Sequence, residues 1–209
     1  MEAADPRDRV EARYGGLAAT SWPGPHPGAA SPREEEYSRL TDPGRYGIVH
    51  TRARLWGEEL AALPGVDAET VERGVRLTSS RPDTLPLLLM ERDVASSRAG
   101  VPALAVLHLC AARPDIVLQA VPDCGCDACD RGSDDLLDCI DETIGIVVDG
   151  PLVIVRGDGW QLRWWPHGSS SSGTDRHVEL TDMCRRLAEG EQITPPKGTE
   201  ALIGRSWLA

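Results

Sequence analysis

Four of the chain's six cysteines and six aspartates fall within eighteen residues, PDCGCDACDRGSDDLLDC at 122–139. Cys124, Cys126 and Cys129 stand at i, i+2 and i+5. In extended backbone, residues i and i+2 point to the same side. Gly125 lets the chain turn sharply between the first two, and Ala128 leaves room for a close turn before the third. Three thiolates can therefore converge on one point. A zinc ion takes four such ligands in a tetrahedron, with Zn–S near ~2.3 Å. Asp127 and Asp130 are local candidates for the fourth ligand. His108 and Cys110 come from the strand that leads into the loop, and His50 or His167 could arrive from elsewhere. The expected set is Cys124, Cys126 and Cys129 with His108. Cys139 sits roughly 9 Å along a helix that starts at Ser133, which suits a half-buried inert thiol better than a ligand.

Other chemistries compete for the same residues. Cys126-Asp127-Ala128-Cys129 has the C-x-x-C spacing of dithiol enzymes and lies just before a helix start. Five aspartates surround it against one Arg131, and negative neighbours hold a thiol in its neutral form while attracting a dication. A zinc deaminase would pair H-x-E with a later P-C-x-x-C. Here His177-Val178-Glu179 follows the cysteines, and Pro122 is not adjacent to Cys126. Iron–sulfur ligation calls for four well-placed cysteines. Thiols that merely pack a tight loop are the remaining alternative.

The stretch PDCGCDACDRGSDDLLDCIDETIGIVVDG, with YSRLTDPGRYGIVHTRARLWGEEL upstream, resembles an actinobacterial family of unknown function built around a CGCDAC motif. The resemblance runs from about Tyr37 to the last helix. It implies that the cysteine loop is a genuine feature of the fold and brings with it no activity, substrate or architecture. The skew toward Arg, with Lys only at Lys197 and no Asn, points to the same GC-rich kind of genome.

The elements that must position the loop follow from pattern. Asp42 with Pro43 predicts a helix start, Pro64-Gly65 its end, and Tyr46, Val49, Ala53, Trp56 and Leu60 a helical stripe with His50 at its edge. VERGVRLTS, TLPLLLMER, PALAVLHL and DIVLQAV read as strands, the last two joined by CAARPD. Ser133 can cap a second helix whose first turn carries Asp134 and Asp135. Its apolar positions, Leu136, Leu137, Ile140, Ile144, Val147 and Val148, oppose Asp134, Asp135, Asp138 and Glu142. Gly150-Pro151 ends it. PLVIVRGDGWQLRWW predicts a hairpin turning at Asp158-Gly159; the Arg-Gly-Asp it contains is a tight turn. GSSSSGT reads as a flexible loop. LTDMCRRLAEG reads as a last helix capped by Thr181. Residues 1–32, rich in Pro, Gly and Ala, read as a disordered leader, and residues 33–209 as one domain.

The predicted fold is α+β, an antiparallel sheet of about six strands with helices packed on one face. A net charge of −11 disfavours nucleic acid and anionic lipid and suits a cation or a basic protein partner. No stretch is long and apolar enough for a membrane span or a secretory signal, so the cytoplasm is the expected location. Thiols stay reduced there, which argues against disulfides. The sequence thus points to a small binding or interaction protein with a zinc-type site. An enzyme using the same loop for thiol redox chemistry or zinc-dependent hydrolysis is the alternative.

Overall fold

The computed structural model describes residues 5–26, 31–95 and 103–208. The elements are α1 (Pro6–Gly15), α2 (Ile48–Ala61), β1 (Val66–Val71), β2 (Gly74–Ser79), β3 (Leu87–Val94), β4 (Leu104–Ala111), β5 (Val117–Val121), α3 (Ser133–Asp149), β6 (Leu152–Gly157), β7 (Trp160–Trp165), β8 (Gly168–Ser172), α4 (His177–Ala188) and β9 (Glu200–Gly204). The class is α+β, as expected. The strands form two sheets rather than one, in the orders β1-β2-β3-β4-β5 and β8-β7-β6-β9. Contacts divide the chain into two compact units, Met1–Leu77 with Pro86–Thr143, and Thr78–Leu85 with Ile144–Ala209.

In the first unit the chain runs up and down through successive antiparallel pairs. β3 and β4 pair from Leu87↔Ala111 to Val94↔Leu104, and β4 and β5 pair through Leu107↔Val121 and His108↔Ala120. VERGVRLTS, expected as one strand, is a hairpin. Arg73 turns with φ 59°, and a Cβ on Gly74 would collide with the Leu89 carbonyl, so only glycine fits there. α2 lies against this sheet, with Gly57 close enough that a Cβ would touch Val75. Its stripe Val49, Ala53, Trp56 and Leu60 is buried as the pattern predicts. The helix starts at Ile48, not Pro43. Asp42 has φ 46° and makes no side-chain cap, and PGRYG forms a 3-10 turn, Pro43–Gly47, first.

The expected disordered leader also differs. Residues 1–4 and 27–30 lie outside the described residues, and so does Pro102 at the start of the PALAVLHL run. Within 5–26, Asp5 caps α1 by accepting from the Arg7 N–H, with Pro6 at the first position. α1 packs along α2 with Val10 fully buried. Arg9 pairs with Glu59 at 2.6 Å, and Arg13 pairs with Glu58 and Glu59. Arg52 of α2, 1 % exposed, clamps Asp141 of α3 and reaches Glu11 of α1 at 2.7 Å. Trp56 donates its indole N–H to the same carboxylate, at 2.6 Å. That buried charge is tolerated because it is paired and hydrogen-bonded.

In the second unit β6 and β7 form the expected hairpin, with Gly159 at φ 71°. GSSSSGT is not a loop: β8 pairs with β7 from Gln161↔Ser172 to Trp165↔Gly168. Two of its serines face the first residue of α4. The Ser169 hydroxyl meets His177 Nε2 at 3.0 Å and the Ser171 hydroxyl meets Nδ1 at 2.8 Å. β9 pairs with the other edge of β6, Leu152↔Gly204 to Arg156↔Glu200. The core is Val153, Val155, Leu162, Leu180, Cys184 and Leu187, with Trp160 and Trp164 against it.

Candidate metal centre

The loop after β5 is held from three directions, each by a partner distant in sequence. Asp127 is buried. Its carboxylate accepts from Arg39 Nε at 2.5 Å, from the Thr41 N–H at 2.8 Å and from the Thr41 hydroxyl at 2.8 Å. The backbone follows suit: the Asp127 N–H donates to the Arg39 carbonyl and the Ala128 N–H to the Glu36 carbonyl. Burial works against the Asp127 charge, but the Arg39 and Thr41 bonds outweigh it and hold its carboxyl below the usual range. Asp130 accepts from Arg45 at 2.6 Å, from the Trp22 indole N–H at 3.0 Å and from the Gly132 N–H at 2.8 Å. Arg45 in turn lies over the Trp22 and Tyr46 rings. The Ser133 N–H and hydroxyl both donate to the Trp22 carbonyl, and the Trp22 N–H donates to the Ser133 hydroxyl. Gly24 and Gly132 approach so closely that a Cβ on either would clash with backbone.

With both local aspartates facing away, the three cysteines face each other. Their sulfurs all lie within 4.8 Å of one another, and Cys124 and Cys126 Sγ are 3.2 Å apart. A tetrahedral zinc with bonds of ~2.3 Å sets its sulfurs about 3.8 Å apart, inside that span. The Cys129 N–H donates to the Cys126 carbonyl at 3.0 Å, closing the C-x-x-C turn. Burial alone would push the Cys126 thiol up. Hydrogen bonds from the Cys124 and Cys129 thiols and from the Cys129 and Ala128 N–H groups outweigh it, so its pKa falls below the ordinary thiol value. Cys129, bonded to Cys126 and Cys124, is pushed up to about 12. The surrounding aspartates predict loop thiols near or above their ordinary value. Cys126 departs from that expectation because the Cys124 and Cys129 thiols, and then the Cys129 and Ala128 N–H groups, hydrogen-bond its sulfur.

His108, expected as the fourth ligand, is not brought to the sulfurs. It lies within β4, opposite Met90 and Ala120. Burial and then Arg92 lower its pKa. Cys110 is fully buried beside Leu88 and Met90, its thiol pushed up to about 11 by burial. His50 faces the Val106 carbonyl. Among the described residues no carboxylate or imidazole joins the three thiols within that 4.8 Å. Cys124 and Cys129 open onto a cavity of about 650 Å³, walled by the end of β5, by Tyr46 and by one face of α3 that includes Asp135, Cys139 and Glu142. The sequence had no signal for Arg39, Thr41 or Arg45 as loop partners. Trp22 carried none either: it is half-buried, and its indole finds its acceptor, Asp130, more than a hundred positions away.

An α+β chain with a three-thiol cluster at the mouth of an acidic cavity is therefore the class that fold and site define. The chain matches the family of unknown function DUF6226 over residues 9–209 and belongs to that family. No curated protein and no solved structure matches it. No helix among the described residues is long and apolar enough to cross a membrane.

Proposed function

We propose that the chain is a metal-binding protein that holds a zinc-type ion on Cys124, Cys126 and Cys129, and that it works in the cytoplasm, where unbridged thiols persist. One observation carries this reading: three sulfurs within 4.8 Å of one another on a loop fastened by buried carboxylates. Soft thiolates select zinc over magnesium or calcium, which prefer oxygen. The backbone N–H groups aimed at Cys126 favour its charged form, the form a metal needs. None of the six cysteines is bridged to another. Titrating metal-free protein with zinc against a chromophoric chelator tests the reading. Stoichiometric uptake that protects the loop thiols from alkylation is the expected result.

A second reading is favoured by the same lowered Cys126 thiol, paired with Cys129 in a C-x-x-C turn. A dithiol enzyme would attack through Cys126 and resolve through Cys129. The two readings separate on one measurement. A reversible Cys126–Cys129 disulfide that forms in a glutathione buffer while zinc is ignored would favour redox chemistry.

A further inference from the structure

Building on the metal reading, we propose that the ion keeps one coordination position open toward the adjoining cavity and that the cavity selects a small cationic ligand for it. Three ligands are in place and a zinc ion takes four. The local carboxylates that could have closed the shell are committed elsewhere, Asp127 to Arg39 and Thr41, Asp130 to Arg45 and Trp22. Asp123 folds back to accept the Cys124 N–H at 2.8 Å. The cavity is on the side where Cys124 and Cys129 are exposed, and its volume of about 650 Å³ suits a metabolite-sized molecule. Three protein ligands beside a ligand-sized cavity is the arrangement of zinc sites that exchange their fourth ligand rather than of purely structural ones.

The charge around that position sets the ligand class. Three thiolates leave the site with a net negative charge even after a dication binds. The facing wall of α3 adds Asp135, Asp138 and Glu142 at helical spacing, on one face. Two of these have basic neighbours, Arg131, which itself lines the cavity, at 3.9 Å from Asp135, and Arg7 at 3.8 Å from Asp138. Pairs that long and that exposed offset little of the field. An anionic ligand would be repelled, and a ligand with a soft or nitrogen donor on one end and a positive charge on the other fits both walls.

Cobalt(II) bound to the full chain in place of zinc reads both layers at once. Intense thiolate-to-cobalt charge-transfer bands report the three-cysteine site itself. Their absence overturns the metal reading and this inference with it. With those bands present, cysteamine and 3-mercaptopropionate are titrated in turn while the visible ligand-field bands are followed. The cationic thiol should shift them in a saturable way at roughly tenfold lower concentration than the anionic one. The double variant Asp138→Asn, Glu142→Gln should keep the charge-transfer bands and lose most of that preference. Strong charge-transfer bands with ligand-field bands that respond to neither thiol overturn the open position and leave the metal reading standing. So do ligand-field bands that change in Cys139→Ala without added ligand, because the fourth ligand is then the protein's own thiol.

Discussion

Asp127 does more for the loop than its place between two cysteines suggests. It is buried, and it takes an arginine, a backbone N–H and a hydroxyl. Charge-assisted bonds of this kind contribute about 1.5–3 kcal/mol each, against the desolvation of the carboxylate. Asp127→Asn keeps the shape, weakens the Arg39 bond and leaves an amide facing the Thr41 N–H. The variant should lose about 1–3 kcal/mol in urea unfolding and bind zinc more weakly, since the cysteines then hang on a looser loop. An unchanged urea midpoint would show that Asp127 is not the anchor. The three thiols were readable because their spacing is local. Arg39 and Thr41 were not, because nothing in a single sequence links them to a residue more than eighty positions away. His108 was misplaced for the complementary reason: nearness along the chain placed it beside the loop, while its strand register set it between Met90 and Ala120.

α1 shows how an element can look dispensable in sequence and still be attached. Its polar composition hides a single fully buried Val10, and the Asp5-Pro6 start signal was the local clue. Removing residues 1–32 takes away Val10, the Arg9 and Arg13 pairs and the Trp22–Asp130 bond together. The truncated chain should melt lower by on the order of 10 °C, from a loss of several kcal/mol over a chain of this size. Equal melting curves would return the segment to a passive leader. The attachment should also depend on pH. Hydrogen bonds from Arg9 and then Arg13 hold the Glu59 carboxyl below its ordinary value. A depressed folded pKa gives stability that is present above the unfolded value, near ~4.3, and is lost as pH falls through the folded one. The stability gap between wild type and Glu59→Gln should therefore be largest near neutrality and close in acid. A gap that widens as pH falls would contradict this assignment. The α2 and α3 stripes were legible because buried helices repeat every three to four residues. The GSSSS strand was not, since serine carries no strand signature and its pairing is made by backbone alone.

At the scale of the whole chain, α+β composition was legible and the division into sheets was not. The β6–β7 hairpin announces itself by its turn, but β9 joins β6 from more than forty residues away, and no local pattern records that. Removing residues 200–209 should leave β6 as an exposed edge and destabilise the second unit. The three-thiol loop lies in the first unit, so its metal content should be unaffected. Limited proteolysis confined to residues 78–85 and 144–199, with metal retained, is the expected pattern; metal loss in that truncation would contradict it.

The most direct measurement is elemental analysis of the purified full chain beside two single variants. About one zinc per chain is predicted for wild type and for Cys184→Ser, whose sulfur is buried in the other unit's core. Cys126→Ser should lose most of that metal and melt at a lower temperature, because metal bound only by the folded state adds to its stability. Full metal content and an unchanged melting curve in Cys126→Ser, or wild-type protein free of metal with its loop thiols open to alkylation, would contradict the three-cysteine site.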